Sequence, residues 1–170
     1  MTLVLEDGTG ITAANAYTSA AAFKLYHKDR GNDFTDGSSD IEKAIIKATD
    51  FIDRKFGGRF KGVKEFATEN DLEFPRLKLY NRAGVLVTGV PTKLAWATAE
   101  YAFRALTEEL FLTPTIDETG LRRIGFREKT GPIEEDVKYA ESTTRELNRP
   151  YPVADRLLVE YLKTANTLTR

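Results

Sequence analysis

The chain has 170 residues, enough for one domain with a sizeable core, and its 41% hydrophobic and 30% charged content excludes wholesale disorder. A formal net charge of −1 argues against wrapping nucleic acid through bulk positive charge, while leaving room for a local basic patch. Cysteine is absent, which removes disulfides, thiolate nucleophiles and cysteine-ligated metals, and the one histidine, His27, leaves general-base chemistry little to draw on.

The start, Met1 to Gly8, lacks the basic and apolar regions of a signal peptide. No apolar run approaches the ~20 residues of a membrane span, so an intracellular protein with no membrane partner is expected. Leu3 to Leu5 reads as a short strand or ordered arm, and Asp7 to Gly10 as a turn in which Gly8 and Gly10 supply backbone freedom. A first helix is predicted from Thr18 or Ser19, either of which can cap it, to Gly31. Asn32 to Ser38 form a polar loop. A second helix is predicted from the capping-box spacing of Ser39 and Glu42. Its apolar stripe is Ile41, Ala44, Ile45, Ala48, Ile52 and Phe56, and Gly57-Gly58 ends it.

Arg59 to Val90 is loop-rich. Proline disfavours the helical conformation of its predecessor at Phe74-Pro75, and Val85 to Val90 reads as a short extended piece. A third helix opens at Pro91, carries Leu94, Ala95, Ala99, Ala102, Phe103, Leu106 and Leu110, and ends by Pro114. Its many alanines allow close approach, so it is expected to be central. Residues 120 to 140 alternate apolar and charged residues around Gly131-Pro132, which predicts a β-hairpin or two-stranded ribbon. Arg122, Arg123, Arg127 and Lys129 could pair with Glu134, Glu135 and Asp136 across it. An isolated ribbon is marginal in water, so this one needs to pack on the domain or on a neighbouring subunit. A last helix follows Pro152, from 152 to 166, with a stripe of Val153, Leu157, Leu158, Tyr161, Leu162 and Ala165. The expected fold class is mainly α: a small bundle of about four helices with a two-stranded ribbon, in one domain over residues 1–170.

No constellation points to catalysis, to a metal or to a cofactor. Gly8-Thr9-Gly10 lacks the third glycine and the strand-turn-helix context of a phosphate-binding loop. His27 has no partner at a mechanistic spacing and reads as a helix-surface residue. Glu134, Glu135 and Asp136 are consecutive and alternate faces in a strand; Asp50 and Asp53 share a helix face and read as solvated charge. The candidate for nucleic-acid contact is Arg54, Lys55, Arg59, Lys61 and Lys64, interleaved with Phe56, Phe60 and Phe66. Single-strand binders combine such charge with aromatic stacking platforms. The plainer alternative is a positively charged helix end followed by core phenylalanines.

Several short motifs recur in a family order. They are Glu6-Asp7-Gly8-Thr9-Gly10, Ala14-Asn15-Ala16-Tyr17, Lys47-Ala48-Thr49-Asp50-Phe51-Ile52-Asp53, Arg59-Phe60-Lys61-Gly62 and Phe74-Pro75-Arg76. Val90-Pro91, Ala97 to Glu100 with Ala102, Gly131-Pro132-Ile133 and Tyr151-Pro152 follow. In this order the chain resembles phage and prophage proteins labelled DnaT-like single-stranded-DNA-binding proteins, themselves similar to the head-to-tail connectors of tailed bacteriophages. The connector resemblance implies a homo-oligomeric, commonly dodecameric, ring in the virion neck, assembled in the host cytoplasm. Its partners would be the portal protein, a tail-terminator, stopper or other neck protein, and passing double-stranded DNA. On that reading Ile124, Phe126, Ile133 and Val137 of the ribbon are the candidate subunit interface. Tyr161, Leu162, Leu168 and Arg170 are the candidate portal contact. The alternative carried by the same resemblance is a single-stranded-DNA-binding protein using the Arg54 to Lys64 cluster.

Overall fold

A computed structural model describes residues 2–34, 37–66, 68, 70–111, 123–129, 134–139 and 151–163. The chain divides into two compact units, one formed by Met1–Leu110 with Pro150–Arg170 and the other by Phe111–Arg149. The fold is mainly α, as expected: among the described residues, four helices are accompanied by small two-stranded antiparallel sheets.

In the first unit, α1 (Ala20–Lys28) is capped by Ser19, whose side chain accepts from the Ala22 amide at 3.1 Å. Helix α2 (Ser38–Phe56) starts at Gly37, which has no side-chain cap, so the expected Ser39–Glu42 box is not what opens it. Its stripe is as predicted: Ile41, Ala44, Ile45, Ala48, Ile52 and Phe56 are all buried, joined by Phe51. Helix α3 (Thr92–Ala105) has Pro91 as its N-cap residue rather than its first turn. It packs against α1, α2 and α4 (Pro152–Leu158), and its buried Ala97, Ala99 and Ala102 permit that central position.

Between α2 and α3 lie two ribbons of two residues per strand: β1 (Val63–Lys64) with β2 (Arg76–Leu77), and β3 (Leu79–Tyr80) with β4 (Leu86–Val87). The last helix differs most from expectation. Helix α4 ends at Leu158, a 3-10 turn covers Val159–Tyr161, and Leu162 forms an antiparallel bridge with Phe60. Ala154 and Leu158 take the buried positions, while Val153 is 63% exposed and leaves the expected stripe.

The N-terminal segment is an ordered arm. Leu5 bridges Ala16 in parallel, and the Asn15 side chain accepts from the Val4 amide at 2.8 Å. The buried Glu6 carboxylate accepts from the amides of Gly8 (2.8 Å), Gly10 (2.9 Å) and Ile11 (2.9 Å), and from the Asn70 side chain (2.6 Å). Residues 6–11 are therefore wrapped around one carboxylate. Gly10 (φ +77°) lies under the Phe66 ring, where a Cβ would come within 2.4 Å.

In the second unit, β5 (Arg123–Lys129) pairs antiparallel with β6 (Glu134–Tyr139), which is the ribbon expected from the sequence. Its register sets Arg127 opposite Asp136 and Lys129 opposite Glu134, but Glu128 opposite Glu135.

Candidate nucleic-acid interface

The five candidate cations do not form one patch. Arg54 pairs with Asp50 one turn away on exposed helix surface, at 2.9 Å. Lys55 is structural: its side chain is 11% exposed and its ammonium reaches Asp155 at 3.0 Å. Asp155 also accepts from the Tyr101 hydroxyl and from the Tyr151 amide, so Lys55 helps fasten α4 to α2 and α3. Lys64 lies on β1 opposite Arg76, and its charge is felt by Asp53.

Arg59 and Lys61 are brought together with a residue that the sequence reading missed. The segment Arg59-Phe60-Lys61 runs antiparallel to Tyr161-Leu162-Lys163. The Lys61 amide donates to the Tyr161 carbonyl at 2.8 Å, and the Lys163 amide donates to the Arg59 carbonyl at 2.8 Å. Phe60 and Leu162, bridged between these bonds, point into the core. Arg59 and Lys163 are left exposed on either side, and the Lys61 ammonium donates to the Glu160 carbonyl at 2.7 Å. Two neighbouring cations, Arg59 and Lys61, thus share one edge with Lys163 from a distant part of the chain. No local pattern announces such a bridge, so Lys163 carried no signal.

Arg76 holds this edge from beneath. Its side chain is buried, and its guanidinium donates to the carbonyls of Lys61 (2.9 Å), Gly62 (3.3 Å) and Glu73 (3.1 Å), and to the Glu73 carboxylate (2.6 Å). Gly62 (φ +72°) admits the close approach of β2, since a Cβ there would lie 2.3 Å from the Leu77 carbonyl oxygen. The Arg59 to Gly62 and Phe74 to Arg76 motifs are two halves of this clamp.

Two of the three expected stacking platforms are not available, and the third, Phe66, is half-buried with its ring over Gly10. Phe56 and Phe60 are 4% and 0% exposed and belong to the core, because the turn after α2 must bury them to close the bundle. The accessible aromatics lie elsewhere. Tyr80 (50%) sits on β3, and Trp96 (39%) on α3, one turn beyond Lys93. Trp96 neighbours Tyr26 at 6.0 Å between ring centroids, and the Arg30 guanidinium covers the Tyr26 ring at 3.5 Å.

Two titratable groups expected at the surface are drawn into the protein's hydrogen bonding, one of them fully buried. His27 is 1% exposed, with Nε2 3.1 Å from the Ala99 carbonyl and rings of Phe23, Phe34, Tyr26 and Phe103 around it. Asp53 is half-buried. It accepts from the Tyr17 hydroxyl (2.7 and 2.9 Å) and from the Glu73 amide (3.1 Å). Burial pushes its pKa up to about 7, against those hydrogen bonds and the Lys64 charge, while the Glu73 charge adds to the rise. With both oxygens taken by protein donors, Asp53 ties the arm, α2 and the 72–76 loop together.

The other candidate residues are placed as follows. Phe126 stands opposite Val137 in the ribbon, and Ile124 falls at its register irregularity. Ile133, Leu168 and Arg170 lie outside the described residues. Tyr161 and Leu162 are 5% and 8% exposed and anchor the C-terminal segment in the core, so they are not an outward-facing contact.

A family model described as "Putative DnaT-like ssDNA binding protein" matches residues 1–170. No curated protein and no solved structure matches the chain. The match overturns the neck-adaptor expectation in favour of the alternative, and the burial of Tyr161 and Leu162 removes half of the residues assigned to a portal.

Proposed function

The chain belongs to the DnaT-like single-stranded-DNA-binding family, and from that premise we propose that it binds single-stranded DNA along the edge formed by Arg59, Lys61 and Lys163. The observation that carries this reading is the bridge itself, which gathers cations from distant parts of a chain whose net charge is −1. Backbone phosphates would lie on the edge, where positive charge replaces condensed counterions. Bases would stack on Tyr80 and Trp96, which are exposed where Phe56 and Phe60 are buried. Stacking asks nothing of base identity, so the binding is largely sequence-tolerant.

Fluorescence anisotropy with a labelled single strand and its duplex tests the reading. The single strand binds more tightly, and Arg59→Glu with Lys61→Glu weakens it. Equal binding of strand and duplex, or a double variant that binds like the parent, would overturn it.

A further inference from the structure

The turn joining β3 to β4 carries Arg82 into the groove between α3 and α4. Its backbone is fixed by Asn81, whose Oδ1 accepts from the amides of Ala83 (3.0 Å) and Val85 (2.9 Å). Arg82, Lys93 from the first turn of α3 and Arg156 from α4 line a cavity of about 220 Å³ with Leu157, Val159 and Glu160. Lys93 is committed to the Glu160 carboxylate at 2.7 Å. Burial opposes ionisation of Glu160, but hydrogen bonds from Lys93 and Tyr161 and the charges of Lys93 and Arg82 hold its pKa below the usual value. Arg82 and Arg156 form no ion pair among the described residues. Three cations less one carboxylate leave a formal surplus of two positive charges.

We infer that this cavity is a phosphate subsite, and that it favours a phosphate monoester over the phosphodiester inside a strand. A monoester carries about −1.5 to −2 charge at pH 7, which matches the surplus; a diester carries half of it or little more. The planar guanidinium forks of Arg82 and Arg156 suit phosphate oxygens in two-point contact. The cavity is smaller than the roughly 300–1,000 Å³ of pockets that enclose a whole small molecule, so it fits one group of a larger ligand. Leu157 and Val159 give it an apolar flank for a sugar. Glu160 joins it to the cationic edge, taking Lys93 on its carboxylate and Lys61 on its carbonyl. A strand whose terminal phosphate is seated there continues along Lys61, Arg59 and Lys163. This strand-end form rests on the single-strand reading; the phosphate site does not.

Calorimetric titration with inorganic phosphate at constant ionic strength, on the parent and on Arg82→Gln with Arg156→Gln, tests the site. Anisotropy with strands ending in phosphate or in hydroxyl tests its source. The parent binds phosphate and the double variant does not. A terminal phosphate at one end tightens strand binding severalfold in the parent, and the gain vanishes in the variant. Both arginines are exposed, so the variant melts at the parent's temperature. Phosphate that fails to bind the parent, or binds the variant equally, overturns the subsite. Hydroxyl-ended strands that bind as well as phosphorylated ones also overturn its monoester preference, and leave the single-strand reading standing. Arginine-dependent phosphate binding with no strand binding keeps the subsite, for a free phosphate or small monoester, and removes the single-strand reading.

Discussion

Replacing Arg59 and Lys163 together by glutamine removes two of the three cations of the edge while keeping the backbone bonds that form it. Those bonds run from amides to carbonyls and do not use either charge. With three phosphates neutralised by Arg59, Lys61 and Lys163, the logarithm of the affinity for a single strand falls with log salt at a slope of about −2, taking about 0.7 per contact. A rise from about 50 to about 200 mM salt then weakens the parent roughly 20-fold, and the double variant, with one contact left, only about 3-fold. The assay is anisotropy on a hydroxyl-ended single strand across that salt range, with circular dichroism to confirm the fold. Hydroxyl ends keep the Arg82 pocket from contributing a terminal contact. A double variant that is folded and keeps the parent's slope would sink the assignment of the edge, whatever its affinity at one salt concentration.

Three further outcomes are expected. Trp96 is the sole tryptophan, so single-stranded DNA quenches the protein's tryptophan fluorescence, and Trp96→Ala costs about 1–3 kcal/mol of binding; binding with an unchanged emission spectrum would place the bases elsewhere. Asp53, with a native pKa of about 7 against about 3.9 when unfolded, holds its proton in the folded state through that window, so stability falls as pH rises from about 4 to about 7, by about 4 kcal/mol at most. Asp53→Asn flattens that decline in urea midpoints, and parallel curves for parent and variant would refute the cause. Arg76→Met strands the Glu73 carboxylate and the Lys61 carbonyl, which costs on the order of 3 kcal/mol of stability. It also weakens DNA binding from a position that touches no DNA, and a variant with the parent's stability and affinity would show that the clamp is dispensable.

The helices were legible because their information is local. The Ile41 to Phe56 stripe has the helical period, and every member of it is buried. The ribbon at 123–139 was legible for the same reason, through alternation around Gly131-Pro132. What local pattern could not carry was long-range pairing. The stripe drawn through Val153, Tyr161 and Leu162 assumed one continuous helix, but the chain leaves the helix at Leu158 so that Leu162 can meet Phe60. That single meeting explains why Lys163 was missed, why Tyr161 was given an outward role, and why Phe60 is core rather than platform. His27 and Asp53 were misplaced because a polar side chain in an amphipathic sequence reads as solvated unless its partner is known. Their partners, the Ala99 carbonyl and the Tyr17 hydroxyl, are 72 and 36 residues away.

The bridge between Phe60 and Leu162 also sets an order of events during synthesis. Domains fold as the chain emerges, and contacts between distant residues wait for both partners. The Arg59 to Gly62 segment and the Arg76 beneath it leave the ribosome long before Tyr161 to Lys163 do. Until then Phe60 lacks the cover of Leu162, and Lys61 lacks the Glu160 carbonyl that it donates to at 2.7 Å. A nascent chain halted anywhere between carries two of the three cations with no edge to hold them. On the single-strand reading, the binding edge is complete only once Tyr161 to Lys163 have joined it.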